Sequence, residues 1–241
     1  MSNQVRVLDH GYIKVHNIAG PTRRPGQEFD ASDVDPANVA RMSFGGMNSG
    51  RTVAEDVKLA GYLMRNWHTG PFEQIVVWVE MKLPIFVARQ IIRHRTASLN
   101  EISARYVTLP SEWYIPAVGA VGVKPKKAKQ GRDTTKGSWF VKQFYRASLN
   151  VQCWLSYKLY QTYLLLGIAP EVARNVLHLN HYTHWMWCHD LHNLMHLMSL
   201  RRKANAQWEA REYAEAIYQE LKIRLPETMR LFDEYRNLEH E

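Results

Sequence analysis

Hydrophobic and polar positions change their spacing along this chain of 241 residues, and each spacing predicts a different element. Residues 5–18 alternate between apolar and polar types around His10-Gly11, which predicts a small hairpin. Thr52 and Glu55 form a capping-box pattern that opens a helix running to about Trp67. The Val- and Trp-rich run over 74–82 predicts a strand.

The rest of the chain is mostly helical in pattern, and each further element is bounded by a start or stop signal. A short helix opened by Pro84 places Gln90 and Arg93 on one face, and a short helix from Pro170 holds Arg174. A strand is predicted over 180–188, and longer helices are predicted over 139–166, closed by Gly167, from the cap Asp190 to Leu200, and over 206–224, ended by Pro226. With no internal repeat or linker, we expect one α+β domain over residues 1–241. In it a small antiparallel or mixed sheet packs against several long helices.

Composition narrows the class of protein. Hydrophobic residues make up 46% of the chain and charged residues 22%, as in ordinary globular proteins. No apolar run approaches the ~18 residues of a membrane helix, and the N-terminus lacks the apolar stretch of a signal peptide. Cys153 and Cys188 are the two cysteines, so no disulfide framework is predicted and a cytoplasmic location is expected.

The formal charge of +8 favours anionic partners, either nucleic acid or a ligand that carries several phosphates. Much of the charge lies in one predicted surface segment over 118–137, which contains Lys124, Lys126, Lys127, Lys129 and Arg132. A solvated loop and a ligand-steering loop are both compatible with this composition.

Residues 93–106, RHRTASLNEISARY, carry the densest chemistry in the chain. Three arginines and a histidine accompany serines, an asparagine and Glu101 within fourteen residues. Buried charges are costly unless they are paired, so such density is difficult to explain by structure alone. Arginine forks bind phosphate bidentately, and the segment therefore predicts a cradle for a planar ligand that bears an anion.

This segment resembles the arginine-histidine-arginine and serine signature of the flavin-dependent thymidylate synthases. Three further segments resemble the same family: residues 40–44, the stretch from His68 to Glu73, and Arg201 followed by 206–209. The resemblance implies that FAD mediates transfer of the methylene of methylenetetrahydrofolate to C5 of dUMP, with NADPH as reductant. It also implies a homotetramer whose active sites draw on several subunits, nucleotide and folate as partners, and neither a membrane nor a nucleic acid as partner.

The resemblance also implies site residues. Expected in nucleotide binding are Gln90, Arg93, Glu101, Ser103, Ala104, Arg105, Arg174 and Arg201. Expected in flavin binding are Ser43, His68, Gly70, Arg93, His94, Arg95, Glu101, Asp190, His192 and His196. Arg201 is the catalytic candidate, because a guanidinium aimed at uracil stabilises charge developing at N3 and O2 and so makes C5 more nucleophilic. Gly70 and Asn205 depart from the family pattern, where Thr and His are common.

Other chemistries are weaker. His192 and His196 have a spacing that metal sites use, but no glutamate lies between them and no CxxC accompanies them, so we expect no metal. Neither cysteine has the electropositive setting that a thiolate nucleophile needs. Ser103 lacks a convincing base, since arginines cannot remove its proton, and a hydrogen-bonding role is preferred.

Three rival functions remain open. A C5-methylase of the same fold could act on UMP or a related nucleotide, because the sequence does not reveal how the 2′ position of the sugar is recognised. A basic RNA-binding protein would use the segment from Lys124 to Arg132 and would bind with steep salt dependence. A histidine-rich metallo-hydrolase would contain metal.

Overall fold

The computed structural model describes residues 4–21, 30–46, 51–125 and 131–236 of the chain. They form an α+β domain built on one five-stranded sheet, in which every neighbouring pair of strands is antiparallel. The strands, in the spatial order β1-β2-β3-β5-β4, are β1 Val5–Val7, β2 Gly11–Ala19, β3 Val76–Pro84, β5 Tyr182–Asp190 and β4 Ala97–Glu101. The sheet is thus antiparallel rather than mixed, and β4 forms one of its edges.

Helices account for most of the remaining described chain. They are α1 Asp35–Arg41, α2 Val53–Arg65, α3 Gly70–Glu73, α4 Ile85–Ile91, α5 Trp139–Leu165, α6 Pro170–Ala173, α7 Leu191–Arg201, α8 Trp208–Arg224 and α9 Pro226–Tyr235. Short 3-10 turns cover Met42–Phe44, Val118–Ala120 and Arg174–Val176.

The main core lies between one face of the sheet and the helices α2, α7, α8 and α9. Alternate residues of β3, such as Val77, Val79 and Met81, are fully buried on this face, as expected for a strand with one face in the core. Tyr213 and Ile217, one turn apart on α8, are also fully buried. Because a slip of one residue would turn β3 over, this burial defines the register of the sheet and with it the position of the β4 edge.

Several predicted start signals are confirmed. The Thr52 side chain accepts a hydrogen bond from the backbone N of Glu55, and the Glu55 side chain accepts one from the backbone N of Thr52, so the capping box is complete. Asp190 caps α7 as predicted, accepting from the backbone N of Asn193 at 2.8 Å. The hairpin around His10-Gly11 is present as β1 and β2.

Other boundaries were wrong. Arg93 lies beyond the end of α4 at Ile91, so it does not share a helical face with Gln90. The helix predicted from Ala206 starts at Trp208 with Gln207 as its N-cap. α8 ends just before Pro226, as predicted, but Pro226 also begins α9, which was not predicted. Proline is well tolerated at the first position of a helix, so it can end one helix and start the next.

Candidate active site

A cavity of about 360 Å³ opens where the chain leaves β4. Four residues expected in nucleotide binding line it, namely Glu101, Ser103, Ala104 and Arg174. The strand brings them here because the backbone N of Ile102 still bonds to the strand β5, at the carbonyl of His184 over 2.8 Å. The chain then turns, and the residues after β4 face the short helix that precedes Arg174.

The polar groups of this cavity are held by local contacts. The Glu101 carboxylate accepts a hydrogen bond from the hydroxyl of Thr183. The Ser103 hydroxyl oxygen accepts one from the backbone N of Arg105 at 3.3 Å. No histidine or carboxylate in the described part of the chain bonds to Ser103, so its hydroxyl has no activating base in hydrogen-bond contact.

Sequence reasoning missed eight residues that line the same cavity. They are Ile85, Ile102, Leu109, Leu177, His178, Leu179, Tyr182 and Thr183. Most are apolar, which matches the usual composition of small-molecule sites. Five of them, from Leu177 to Thr183, come from a part of the chain far from the signature, and only the pairing of β5 with β4 reveals that Thr183 reaches Glu101.

Arg105 lies beside this cavity with an exposed side chain. Its Nε is 3.2 Å from Oε2 of Glu171, at the start of α6, and both side chains are 55% exposed. An ion pair so open to solvent stabilises a protein little. The guanidinium is therefore available to a phosphate group at small cost.

A second cluster surrounds Arg201 at the end of α7. The Nε of Arg201 donates to Nε2 of His94 at 3.3 Å, and its Nη2 donates to the backbone carbonyl of Gln90 at 3.1 Å. Burial, the positive charge of Arg201 and the nearby His196 lower the pKa of His94 to about 4. The imidazole is consequently neutral at physiological pH and can accept the hydrogen bond from Arg201.

Residues expected in flavin binding lie around this second cluster and on the surface nearby. Arg93 and Arg95 are exposed and make no ion pair within the described residues. His196 packs edge-on against His94, with ring centroids 6.1 Å apart, and His192 lies one turn earlier on α7. The Asp190 carboxylate is occupied by Asn193, which donates from its backbone N and its side-chain amide over 2.8 and 2.9 Å.

The remaining three flavin candidates lie in short segments before or at the start of helices. Ser43 is exposed in the 3-10 turn Met42–Phe44. His68 stacks on Tyr62 with centroids 6.0 Å apart. A Cβ built on Gly70 would meet no atom within 4 Å, so space around this glycine is open to a ligand or to a larger side chain.

The predicted nucleotide-binding residues contribute to two groups within the described chain. Glu101, Ser103, Ala104 and Arg174 surround the cavity, whereas Gln90 and Arg201 belong to the second cluster. No hydrogen bond or ion pair between described residues joins the two groups.

The basic segment is only partly described, since Lys126, Lys127 and Lys129 lie outside the described residues. Arg132 does not behave as a solvated charge. Its Nη1 donates to Oε1 of the buried Glu209 over 2.8 Å, and its guanidinium lies 5.4 Å from the ring centre of Trp208. This end of the segment is thus fastened to the start of α8.

Several alternative chemistries can be assessed from the same geometry. Burial raises the pKa of the thiols of Cys153 and Cys188, which disfavours a thiolate nucleophile at either. Within the described residues, no group of three or more His, Cys, Asp or Glu side chains is arranged to hold a metal ion. Among the same residues no helix has both the length and the apolar character needed to cross a bilayer.

Comparison with known proteins decides the family. The family model described as thymidylate synthase complementing protein matches residues 27–227. The chain belongs to this family. The matched range contains the signature, the cavity residues and Arg201, so both clusters described above lie within the part of the chain that defines the family.

Relatives with known names extend over nearly all of the chain. The flavin-dependent thymidylate synthase of Treponema denticola is 42% identical over 226 residues, which is 94% of this chain and 80% of that protein. The enzyme of the same name from Thermus thermophilus is 40% identical over 231 residues, covering 96% of this chain and 78% of its own. Among solved structures, the UMP/dUMP methylase PolB from Streptomyces cacaoi, bound with 5-Br dUMP, has a TM-score of 0.81 at 26% identity. It covers 97% of this chain and 99% of its own.

Proposed function

We propose that this member of the family is a flavin-dependent thymidylate synthase. It methylates dUMP at C5 with methylenetetrahydrofolate as carbon donor and NADPH as reductant. The observation that carries the proposal is the cavity beside β4, where Glu101, Ser103 and Arg174 provide an acceptor, a hydroxyl and a cation around an apolar interior of nucleotide-compatible size.

The residues around the second cluster fit an FAD cofactor. Arg93 and Arg95 are exposed cations without an ion pair in the described chain, as binding of a pyrophosphate requires. His68, His192 and His196 offer polar rings for the remainder of the cofactor, and the space at Gly70 is open. When bound, the flavin supplies the redox chemistry of the reaction.

The protein's own residues orient the nucleotide and stabilise charge. Arg105 and Arg174 are assigned to its phosphate, and Ser103 to a hydrogen bond in the same cradle. Arg201 is assigned to the pyrimidine, where a guanidinium stabilises negative charge that develops at N3 and O2. His94, held neutral by burial and by Arg201, fixes the direction of that guanidinium without competing for the negative charge.

We further propose a homotetramer in which one active site combines the cavity of one subunit with the Arg201 cluster of another. The division of the predicted nucleotide residues into two groups, which no hydrogen bond joins within the described chain, supports this arrangement. So does α5, which buries one face and exposes another. Its exposed stripe consists of Phe140, Phe144, Val151, Leu155 and Leu159, with 48–76% of each residue exposed. Contiguous apolar surface of this kind is typical of an interface.

Turnover tests the proposal directly. The purified protein should form dTMP from dUMP when FAD, NADPH and methylenetetrahydrofolate are all present, as measured by chromatography of the nucleotides. Omission of FAD from flavin-stripped protein is the matched control and should abolish the product. Absence of dTMP in the complete mixture, from folded protein that binds FAD, would contradict the proposed function.

UMP is the second candidate substrate. The structural neighbour is named a UMP/dUMP methylase and has been solved with both 5-Br dUMP and 5-Br UMP. Because the fold is shared over 97% of this chain, methylation of UMP is a specific alternative to methylation of dUMP. Comparison of kcat/KM for dUMP and UMP decides between them. We expect dUMP to be preferred, and a cytoplasmic location remains a prediction from the two free cysteines.

A further inference from the structure

A chain of hydrogen bonds connects Arg132 with Gln90 in the second cluster. Arg132 Nη1 and the Tyr114 hydroxyl donate to Oε1 of Glu209 over 2.8 and 3.2 Å. Oε2 of the same carboxylate accepts from Nε2 of Gln207 at 3.1 Å, and Oε1 of Gln207 accepts from Nε2 of Gln90. Because the Glu209 side chain is only 3% exposed, water cannot easily replace these partners.

The direction of this chain follows from chemistry. An ionised carboxylate only accepts hydrogen bonds, so Gln207 has to turn its NH₂ group toward Glu209. Its carbonyl oxygen then faces Gln90, and Gln90 in turn has to present its own NH₂ group to Gln207. The carbonyl oxygen of the Gln90 amide makes no hydrogen bond to the described residues. It is therefore available as an acceptor for a ligand.

We propose that Glu209 is a positioning residue that determines which end of the Gln90 amide is offered to the nucleotide. Glu209 acts through Gln207, and Arg132 and Tyr114 hold its carboxylate from the other side. The inference rests on the proposed function, under which Gln90 belongs to the nucleotide site. Gln90 would accept a hydrogen bond from the N3–H group of uracil, since this is the neutral donor of dUMP that cannot also accept, as the 3′-hydroxyl can.

Glu209→Gln tests the direction of the chain while it preserves the size of the side chain. Arg132 can only donate, so the new amide must point its oxygen at Arg132 and its NH₂ group at Gln207. Gln207 and Gln90 then both turn over, and Gln90 offers N–H to the N3–H group of uracil, which cannot accept. Loss of one such bond should raise the dissociation constant for dUMP about tenfold, measured by calorimetry on FAD-loaded protein.

A swap of the two side chains provides the rescue. The double variant Gln207→Glu/Glu209→Gln has the charge of the wild type and again allows Gln90 to donate to an acceptor-only group. We expect its dissociation constant for dUMP to return to within about threefold of the wild-type value. If Glu209→Gln alone does not fold, the double variant is compared directly with the wild type. A folded double variant that binds no more tightly than the single variant, or more than tenfold more weakly than the wild type, would overturn the proposal.

A control and two analogues complete the test. Glu215 lies on α8, as Glu209 does, and its carboxylate pairs with Arg202 at 2.7 Å. Glu215→Gln removes this carboxylate and should leave the affinity for dUMP unchanged. N3-methyl-dUMP and 2′,3′-dideoxyuridine monophosphate each lack one donor. N3-methyl-dUMP should bind wild type and Glu209→Gln equally well, whereas the dideoxy analogue should still bind the variant more weakly. A persistent difference with N3-methyl-dUMP would overturn the inference.

The outcomes separate the inference from the proposed function. Wild-type protein that binds and methylates dUMP, beside a Glu209→Gln variant of unchanged affinity, would refute only the role of Glu209. Wild-type protein that does not act on dUMP would refute the function itself.

Discussion

Nε of Arg201, at the end of α7, donates a hydrogen bond to Nε2 of His94, 3.3 Å away. This contact joins the histidine of the signature to an arginine more than one hundred residues later in the chain. A second hydrogen bond, from Nη2 to the carbonyl of Gln90, fixes the plane of the guanidinium. Arg201 is therefore oriented as well as charged, which a simple partner for the helix dipole would not require.

Arg201→Lys should retain the fold and the flavin but lose most methylation at saturating dUMP. Lysine keeps the charge but cannot make both contacts, because it lacks the planar fork. Removal of one donor that stabilises developing charge typically lowers turnover roughly a hundred- to thousandfold. Arg202→Lys is the control, since Arg202 contacts Glu215 and the ring of Tyr218 and should affect thermal stability rather than turnover. Turnover close to the wild-type value would return Arg201 to a structural role.

His94 should make stability depend on pH. Its pKa is about 4 in the folded protein and near 6.5 when unfolded, so between these values the unfolded state binds more protons. The free energy of unfolding should therefore fall as the pH decreases from about 7 to about 4. At still lower pH, His94 is protonated in both states and its contribution no longer changes. His94→Gln retains an acceptor for Arg201 but removes the titration. The urea midpoint of this variant should change less between pH 7 and pH 5.

In His94→Gln the pH dependence of the urea midpoint should be reduced rather than abolished, since burial also lowers the pKa of His181 to about 4 and lowers that of His189. His10→Gln, at an exposed position in the turn between β1 and β2, is the matched control. An equal pH response in His94→Gln and wild type would refute the assignment.

Ser103→Ala should weaken nucleotide binding yet leave measurable methylation. The hydroxyl lines the cavity and has no base among its described partners, so it contributes a hydrogen bond rather than a nucleophile. We expect the KM for dUMP to rise about five- to tenfold with a smaller change in kcat. Ser138→Ala, at an exposed position before α5 and outside the cavity, is the control, since its side chain makes no capping hydrogen bond. Complete loss of turnover with normal binding of nucleotide and FAD would indicate covalent catalysis by Ser103.

The exposed stripe on α5 should be an interface between copies of the chain. Phe144→Glu/Leu155→Glu places charges at residues that are 74% and 49% exposed in the single chain and would be buried in the tetramer. Burial of unpaired charge is costly, so the variant should dissociate and lose activity, as measured by light scattering and turnover. Lys58→Glu, at an exposed position of α2, is the control for added negative charge. A tetramer unaffected by the double variant would exclude this stripe.

The protein should bind FAD without nucleotide. Arg93 and Arg95 make no ion pair in the described chain, so the anion would not have to displace a carboxylate. Titration with FAD should quench flavin fluorescence, and Arg93→Ala/Arg95→Ala should weaken binding at least tenfold. Arg65→Ala, an exposed arginine at the end of α2, is the control. Unchanged fluorescence on titration of the wild type would contradict the flavin assignment.

The sequence by itself determined most elements, since their signals are local. The capping box at Thr52, the cap at Asp190 and the alternation along β3 each involve residues within a few positions of one another. The signature was likewise readable, because its arginines, histidine and serine are consecutive or nearly so. Local signals failed where one residue can serve two elements, as Pro226 does between α8 and α9.

Only the tertiary structure decided which of these groups meet. The pairing of β4 with β5 brings Thr183 to Glu101, and the packing of α8 on the sheet brings Glu209 within reach of Arg132. Such contacts join residues tens of positions apart, and their selection depends on the burial of whole faces rather than on any short pattern. The sequence assigned Gln90 and Arg174 to one nucleotide site, but only the fold shows that Arg174 lines the cavity and that Gln90 contacts Arg201.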